Sequence, residues 1–540
     1  MPDKKIIFIA DFYVDQILGG GEINNEELYQ CLISQGHQVV KERSHNITAE
    51  YVLANQDSFF IVFNFINLSY AARTALQKTR YIIYEHDHKY IKSRNPATYT
   101  KFKAPKRDII NYHFYKNAQR VLCQSQLHYD IITLNLGIDN VESLGGNLWS
   151  DQSLGALEEM CSLPKKKACS VMASSIDHKN TKGAAAFCES HDLDFDLVSD
   201  NDYISFLKKL GSNEKLVFFP RTPETLSRIA VEARMMGMSV ITNNLVGATT
   251  EPWFEAKGRD LINIMRQKKK DIVSRVLSLV NSPVEKRNSQ YEVSIISTFY
   301  KGEDFLQDFL QNLTQQTIFK KCELVLVDTG SPGKERQIVE KFLSKHSNIK
   351  YVREEQRHKP TRGMNIALRH ASADTICWAM IDDRKNKDCI ENLYQFLLNN
   401  PDVDLVYGDC LVTDVKNENP EETKSKTVSE HSSLPFSREN MVKCLPGPMP
   451  LYRKTLHEKN GFFDEDDCDY ADDWEMWLRA VESGSKFKKF NKVVGLYYNN
   501  GRSTQEDINQ RKEEAKIFFK YQNVFGDGFL RYRSYFGQFL

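Results

Sequence analysis

Thr375-Ile-Cys-Trp-Ala-Met-Ile-Asp382-Asp383-Arg384 is the stretch on which the reading of this chain turns. Residues 375–381 form an almost unbroken apolar run that ends in two adjacent carboxylates. A strand apolar on both faces belongs in the middle of a sheet covered on both sides. In open α/β sheets, ligands gather at the carboxyl ends of such strands. Two acids there can hold a hard divalent cation, and that cation can hold a diphosphate. The plain alternative is a charged turn after a core strand. The stretch by itself does not choose between them.

Its neighbours add weight to the first reading. Glu292-Val-Ser-Ile-Ile-Ser-Thr-Phe-Tyr300 reads as a second buried strand, with the polar Lys301-Gly-Glu303-Asp304 and an amphipathic helix behind it. Glu323-Leu-Val-Leu-Val-Asp328 is a third, closed by the turn Thr329-Gly-Ser-Pro-Gly333 and a helix with Ile338, Val339 and Phe342 on one face. Alternation of this kind predicts parallel strands joined by right-handed crossovers, with Asp328 and Asp382 at one edge of the sheet. Farther on, Asp472-Asp473-Trp474-Glu-Met-Trp477 places acids at the start of an aromatic-rich helix.

Taken in order, Ser297-Thr-Phe-Tyr300, Val327-Asp-Thr-Gly-Ser331, Arg362-Gly-Met-Asn365, Ile381-Asp-Asp-Arg384, Gly461-Phe-Phe-Asp464-Glu465 and Asp472-Asp-Trp474 resemble glycosyltransferase family 2. The resemblance spans about residues 291–498 and implies a GT-A nucleotide-sugar-binding fold. It implies that Asp328 holds the nucleotide base and that Asp382 binds the Mg²⁺ or Mn²⁺ bridging the donor diphosphate. Asp473 would be the base that deprotonates the acceptor hydroxyl. Thr298, Tyr300, Glu303, Arg362 and Asp383 would complete the donor site. The family's Asp-x-Asp would put its first acid at Met380, and the acid often found after Asp328 is Thr329. The metal site therefore departs from the pattern.

The first half also alternates strands and helices. Strands are expected at 6–10, 59–63, 81–84 and 121–123, and again at 168–173, 195–198, 215–219 and 239–242. Gly19-Gly20-Gly21-Glu22 joins the first strand to a helix, where backbone amides can approach a phosphate; a flexible turn explains the glycines as well. In Pro220-Arg-Thr-Pro-Glu224-Thr-Leu-Ser-Arg228-Ile-Ala-Val-Glu232-Ala, two glutamates flank a loop-to-helix junction. With Lys179-Asn-Thr-Lys182-Gly183, Gly36-His-Gln-Val39 and the glycine loop, this resembles glycosyltransferase family 4 and its two-lobed GT-B fold over about residues 1–280. The resemblance implies that Lys182 faces a donor diphosphate, Glu232 the ribose and Glu224 the transferred sugar, with Gly20 and Gly21 at the donor. The arginine usual before the lysine is absent, and His86 is open to either an acceptor-lobe or a structural role.

The expected class is thus α/β: a Rossmann-like GT-B-type module (lobes 1–150 and 151–282), a polar linker at 281–290, and a GT-A-type domain over 290–540. Balanced charge, 72 Lys+Arg against 72 Asp+Glu, gives no footprint for nucleic acid. The 11 cysteines lack metal spacing and fit reduced thiols in a cytoplasmic protein. No apolar run reaches membrane length, so a membrane contact would be peripheral, at the inner face. The sequence thus points to a two-module transferase passing sugars from nucleotide-sugar donors to a glycan or lipid-linked glycan of the cell surface. The C-terminal domain would invert, and the N-terminal module, if active, would retain. A single active C-terminal domain beside a non-catalytic glycan-binding module, a scaffold without turnover, and a nucleotidyltransferase stay open. Two local expectations complete the reading: a polar mobile loop or insertion at 416–433, and a turn at Cys444-Leu-Pro-Gly-Pro-Met-Pro450 leading into a helix.

Overall fold

The computed structural model describes residues 5–282, 291–499 and 508–540. From position 283 on, the expected linker lies outside them. The chain divides into two compact units. One holds residues 1–104 and 112–287, the other residues 105–111 and 288–540. The short segment 105–111, from the N-terminal half of the sequence, therefore packs within the C-terminal unit.

The N-terminal unit contains two parallel sheets. β1 (Ile6–Ala10), β2 (Val39–Arg43), β3 (Phe59–Val62), β4 (Arg80–Tyr84), β5 (Val121–Cys123) and β6 (Val141–Ser143) form the first, in the order β2-β1-β3-β4-β5-β6. β7 (Lys166–Met172), β8 (Phe195–Val198), β9 (Asn213–Phe218) and β10 (Ser239–Thr242) form the second, ordered β10-β9-β7-β8. Every residue of β1 and β3 is apolar and buried, as suits parallel strands in the middle of a sheet. The helix Gly258–Asn281 ties the two sheets together. Leu261, Ile262 and Met265 join the core of the second, and Ile272, Val273, Val276 and Val280 that of the first. At 24 residues it is about 36 Å long, enough to reach across both.

The C-terminal unit is built on one mixed sheet. Its strands are β11 (Val293–Phe299), β12 (Cys322–Asp328), β13 (Ile349–Arg353), β14 (Thr375–Trp378), β15 (Arg384–Lys385), β16 (Leu405–Thr413), β17 (Leu451–Arg453) and β18 (Phe487–Tyr498). The order is β13-β12-β11-β14-β17-β16-β18-β15. β11 to β14 run parallel, so Phe299 and Asp328 stand in register at the carboxyl edge, and β14 joins β11 through Ile296 and Trp378. The opening stretch is a shorter strand than its apolar run suggests. β14 stops at Trp378, and the chain turns through Met380 and Asp383, whose amide reaches the Met380 carbonyl at 3.3 Å.

Two further expectations change. The turn 444–450 leads first into β17, which pairs antiparallel with β14, and only then into the helix Thr455–Asn460. Residues 427–429 return along β16, with Thr427 O accepting from Val412 N at 2.8 Å and Ser429 N donating to Cys410 O at 2.8 Å. The polar stretch is thus anchored at its far end.

Candidate functional site

At the carboxyl edge of the C-terminal sheet, Asp328 ends β12 and is fully buried. Its Oδ1 accepts from the Ser331 amide at 2.8 Å; its Oδ2 accepts from Tyr351 Oη at 2.7 Å and pairs with Arg353 from β13. Next to this acid, the Tyr300 ring carries the Arg357 guanidinium 4.7 Å above its centroid. Glu303 opens the helix Glu303–Thr314 and accepts from the Lys334 amide. Thr298 lies buried on β11, its hydroxyl without a partner. Gly363, on the helix Pro360–His370, lies so close that a Cβ there would strike Thr298 Oγ1. Arg362 stands exposed beside it in the first turn of that helix.

Asp382 and Asp383 follow β14. Asp382 is partly open, and burial raises its carboxyl above the usual range. Asp383 is buried and pushed well up, by desolvation first and by the Asp382 charge next; its Oδ1 accepts from Tyr498 N at 3.1 Å. Arg384 turns beneath them to hold the carbonyls of Ile381 and Asp383, at 2.8 and 2.7 Å. Among the described residues, no three His, Cys, Asp or Glu side chains meet as a cation site. Two adjacent desolvated carboxylates, one of them partly open, are oxygen donors of the kind a Mg²⁺ or Mn²⁺ shared with a diphosphate uses.

The helix Asp472–Glu482 brings the second acid pair. A capping role is expected for Asp472 from its spacing to Glu475, but Ala471 occupies the N-cap and its side chain makes no cap. Glu475 is instead buried with Arg479, Lys520 and Tyr521. Burial pushes Asp472 up to about 7, helped by the Asp473 charge, while Thr361 of the Pro360 helix hydrogen-bonds to it. Asp473 is also raised by burial, and its Oδ2 accepts from Cys444 Sγ at 3.4 Å. Thr361 thereby brings the Arg362 turn to Asp472. One helix turn on, Asn365 bonds Phe463 in both directions, at 2.9 and 3.0 Å, and Glu465 at 3.0 Å.

In the N-terminal unit, Gly20 and Gly21 begin the helix Gly20–Ser34. A Cβ at Gly20 would lie 3.2 Å from Arg228 Cδ, and one at Gly21 would lie 3.3 Å from His86 Cγ. Glu232 is buried in the helix Arg228–Met235. Its Oε1 accepts from Trp149 Nε1 at 2.9 Å and Tyr203 Oη at 2.5 Å, with Arg228 Nε at 3.3 Å. Glu224 pairs with Lys179 at 2.7 Å, and Lys182 is exposed. His86 Nδ1 takes a hydrogen bond from Gln124, its Nε2–H donates to Asn25 Oδ1, both at 2.6 Å, and burial depresses it to about 3. The residues singled out here are thus largely bonded to the unit's own side chains.

The family match falls on the C-terminal unit. Residues 294–461 match the family described as Glycosyl transferase family 2. This segment is a family-2 glycosyltransferase domain. The poly(ribitol-phosphate) beta-N-acetylglucosaminyltransferase TarS of Staphylococcus aureus is 26% identical over 210 residues, 38% of this chain and 35% of TarS. This chain therefore spans about a third of that relative's length. The minor teichoic acid biosynthesis protein GgaB of Bacillus subtilis is 25% identical over 114 residues, 21% of this chain and 13% of GgaB. Among solved structures, residues 1–349 of TarS give a TM-score of 0.36 at 19% identity, covering 45% of this chain and 72% of that one. The mannosyltransferase PcManGT of Pyrobaculum calidifontis, solved with GDP-Man and Mn²⁺, gives 0.33 at 20%, covering 46% and 68%.

Asp473 and its helix lie beyond the matched family-2 segment. Arg353, Tyr351, Arg357 and Thr361 did not stand out in the sequence, and Cys444 did so only as the start of the 444–450 turn, expected as a wall of the acceptor pocket. The basic run Arg353-Glu-Glu-Gln-Arg357-His-Lys359-Pro-Thr-Arg362 could have signalled the first and third. Nothing in the spacing of Cys444 points to Asp473, 29 residues away.

Proposed function

We propose that this protein is an inverting glycosyltransferase whose turnover resides in the family-2 domain and its C-terminal extension, residues 290–540. The observation that carries the reading is topological: Asp328 ends β12 and Asp382 follows β14, the two strands that flank β11 in the parallel part of the sheet, while Thr361, on the helix that leads to β14, is bonded to Asp472. Asp328 receives the base of a nucleotide-sugar, between Tyr300 and the Arg353 pair. Thr298, Glu303 and Arg362 border the donor. Asp473, its carboxyl raised by burial, takes the proton of an acceptor hydroxyl. That oxygen bonds to the anomeric carbon as the bond to the diphosphate breaks, and the nucleoside diphosphate leaves with the electron pair. One displacement inverts the centre. Asp382, with Asp383 behind it, would hold a Mg²⁺ or Mn²⁺, which when bound neutralises charge on the departing diphosphate. The acceptor is a surface polymer, of which poly(ribitol-phosphate), the substrate in the TarS name, is one chemical type. The protein acts in the cytoplasm, with any contact to the inner membrane face peripheral; among the described residues no helix is long and apolar enough to cross a membrane.

The bonding of Glu232, Glu224 and His86 within their own unit favours an N-terminal module, lobes 1–150 and 151–282, that positions the acceptor without transferring sugar. A ribose would have to displace Trp149 and Tyr203 from Glu232, leaving buried donors unpaired at a cost of about 1–3 kcal/mol each. The test uses the full chain with a panel of nucleotide-sugars and Mn²⁺. Release of nucleoside diphosphate supports the transferase, pyrophosphate a nucleotidyltransferase, and binding without release a scaffold. Glu232→Gln and Glu224→Ala should keep transfer. Loss of a second, separable transfer in either would restore activity to the N-terminal module.

A further inference from the structure

Three consecutive amides, those of Asp469, Tyr470 and Ala471, donate to one carboxylate. It belongs to Glu513, and the distances are 2.8, 2.9 and 2.8 Å. These are the last amides before the helix that carries Asp472 and Asp473. Ala471 at the N-cap has no side chain able to cap it, so Glu513 fixes the helix start from another element, the helix Ile508–Lys520. That element grips a second time: Lys520 Nζ lies 3.0 Å from Glu475 Oε1, and Tyr521 Oη donates to the same oxygen at 2.5 Å. The two grips fall on either side of Asp472 and Asp473. Carboxylate bonds to backbone N–H groups are charge-assisted and about twice as strong as neutral ones.

We propose that Glu513 is a positioning residue for the transfer assigned above to Asp473. By binding the three amides it fixes where the Asp472 helix begins, and so where the Asp473 carboxylate points. The proposal rests on the reading of Asp473 as the base. Glu513 also acts through its charge. The acid pair is faced by Thr361 from the Pro360 helix, by Cys444 and His431 from the segments before β17, by Cys468 and by Glu513. The neighbouring Lys359 is paired with Asp469. Glu513 is one of the negative charges that hold Asp472 up. Neutralising it should let the pair release its protons at lower pH.

The experiment is Glu513→Gln in the full chain, read against Asp473→Asn, with any nucleotide-sugar the wild type turns over. The amide keeps the shape and one acceptor oxygen but loses the charge. Expected are a kcat lower by roughly 10–100-fold, the scale of a small misplacement of a reacting group, a donor KM within about twofold, and an acid limb of the pH profile moved to lower pH. Amide exchange should rise at Tyr470 and Ala471 while the melting temperature changes little. A Glu513→Gln enzyme with wild-type kcat and an unmoved acid limb overturns the proposal. So does a variant whose activity falls only in proportion to unfolded protein. An active Asp473→Asn enzyme instead overturns the reading of the base, whatever Glu513 does.

Discussion

Asp473 and Asp472 are neighbours in the chain but differ in what holds them. Asp472 is tied to Thr361 and raised to about 7, whereas Asp473 meets a thiol and its own helix start. Asp473→Asn should lower transfer by roughly 10²–10⁴-fold while leaving nucleotide affinity and melting temperature near wild type. Normal turnover would move the base elsewhere. Asp472 makes a claim about stability. Between 3.8 and about 7 the folded protein keeps a proton there that the unfolded chain has released. Stability contributed by that group is therefore lost as pH rises across this window. Asp472→Asn removes the loss, so its melting temperature should exceed wild type by clearly more at pH 8 than at pH 5. A third prediction concerns Asp382. Asp382→Ala should abolish any effect of Mn²⁺ on nucleotide binding, and a chelator that leaves wild-type binding unchanged would remove the metal. These acids were legible because each ends an apolar run or opens an apolar helix. Tyr351, Arg353 and Cys444 were not, because what matters about them is a partner brought close by strand pairing or loop return.

Elements with a strong period were read well. β11 and β12 were visible as buried runs. β18 was not. Its twelve residues pass from buried to exposed and back, and it pairs parallel with β16 across two register shifts, so no single alternation marks it. The glycine in Arg362-Gly363-Met364-Asn365 has an element-scale meaning that its motif hid: it lets a helix approach β11. A Cβ there would come within 2.8 Å of Thr298 Cβ and 3.1 Å of Thr329 Cγ2. Gly363→Ala should cost about 1–3 kcal/mol by overpacking and weaken nucleotide binding, because Thr298 must shift. The melting temperature of the C-terminal unit and a nucleotide titration check both, and an unchanged variant would mean that this helix is free to move.

At the scale of the whole molecule, contiguous domains are too simple a picture. Arg107 pairs with the buried Asp464 at 2.6 Å and with Asp467, while its carbonyl accepts from Arg479 at 3.1 Å. Asn111 N donates to Glu458 O, and Phe462 N to Lys106 O. No local pattern could have assigned residues 105–111 to the second unit, since Arg107 finds its partners Asp464 and Arg479 at separations of 357 and 372 positions. Arg107→Ala leaves Asp464 buried without its cation and should cost about 2–3 kcal/mol, the low end for a broken buried pair because Arg107 is a quarter exposed. A fragment beginning near Pro283 should melt well below the full chain's C-terminal unit for the same reason. Equal melting temperatures would show the segment to be dispensable.

The same segment sets a clock on biosynthesis. Arg107 leaves the ribosome 357 residues ahead of Asp464. At 5–20 residues per second that interval is roughly 20–70 s. The N-terminal unit can fold in that time, before the residues that bind segment 105–111 have been translated. When Gly461 and its neighbours emerge, they meet a strip of their own unit that was made long before them, so residues 105–111 wait on that side until residues 458–464 are translated.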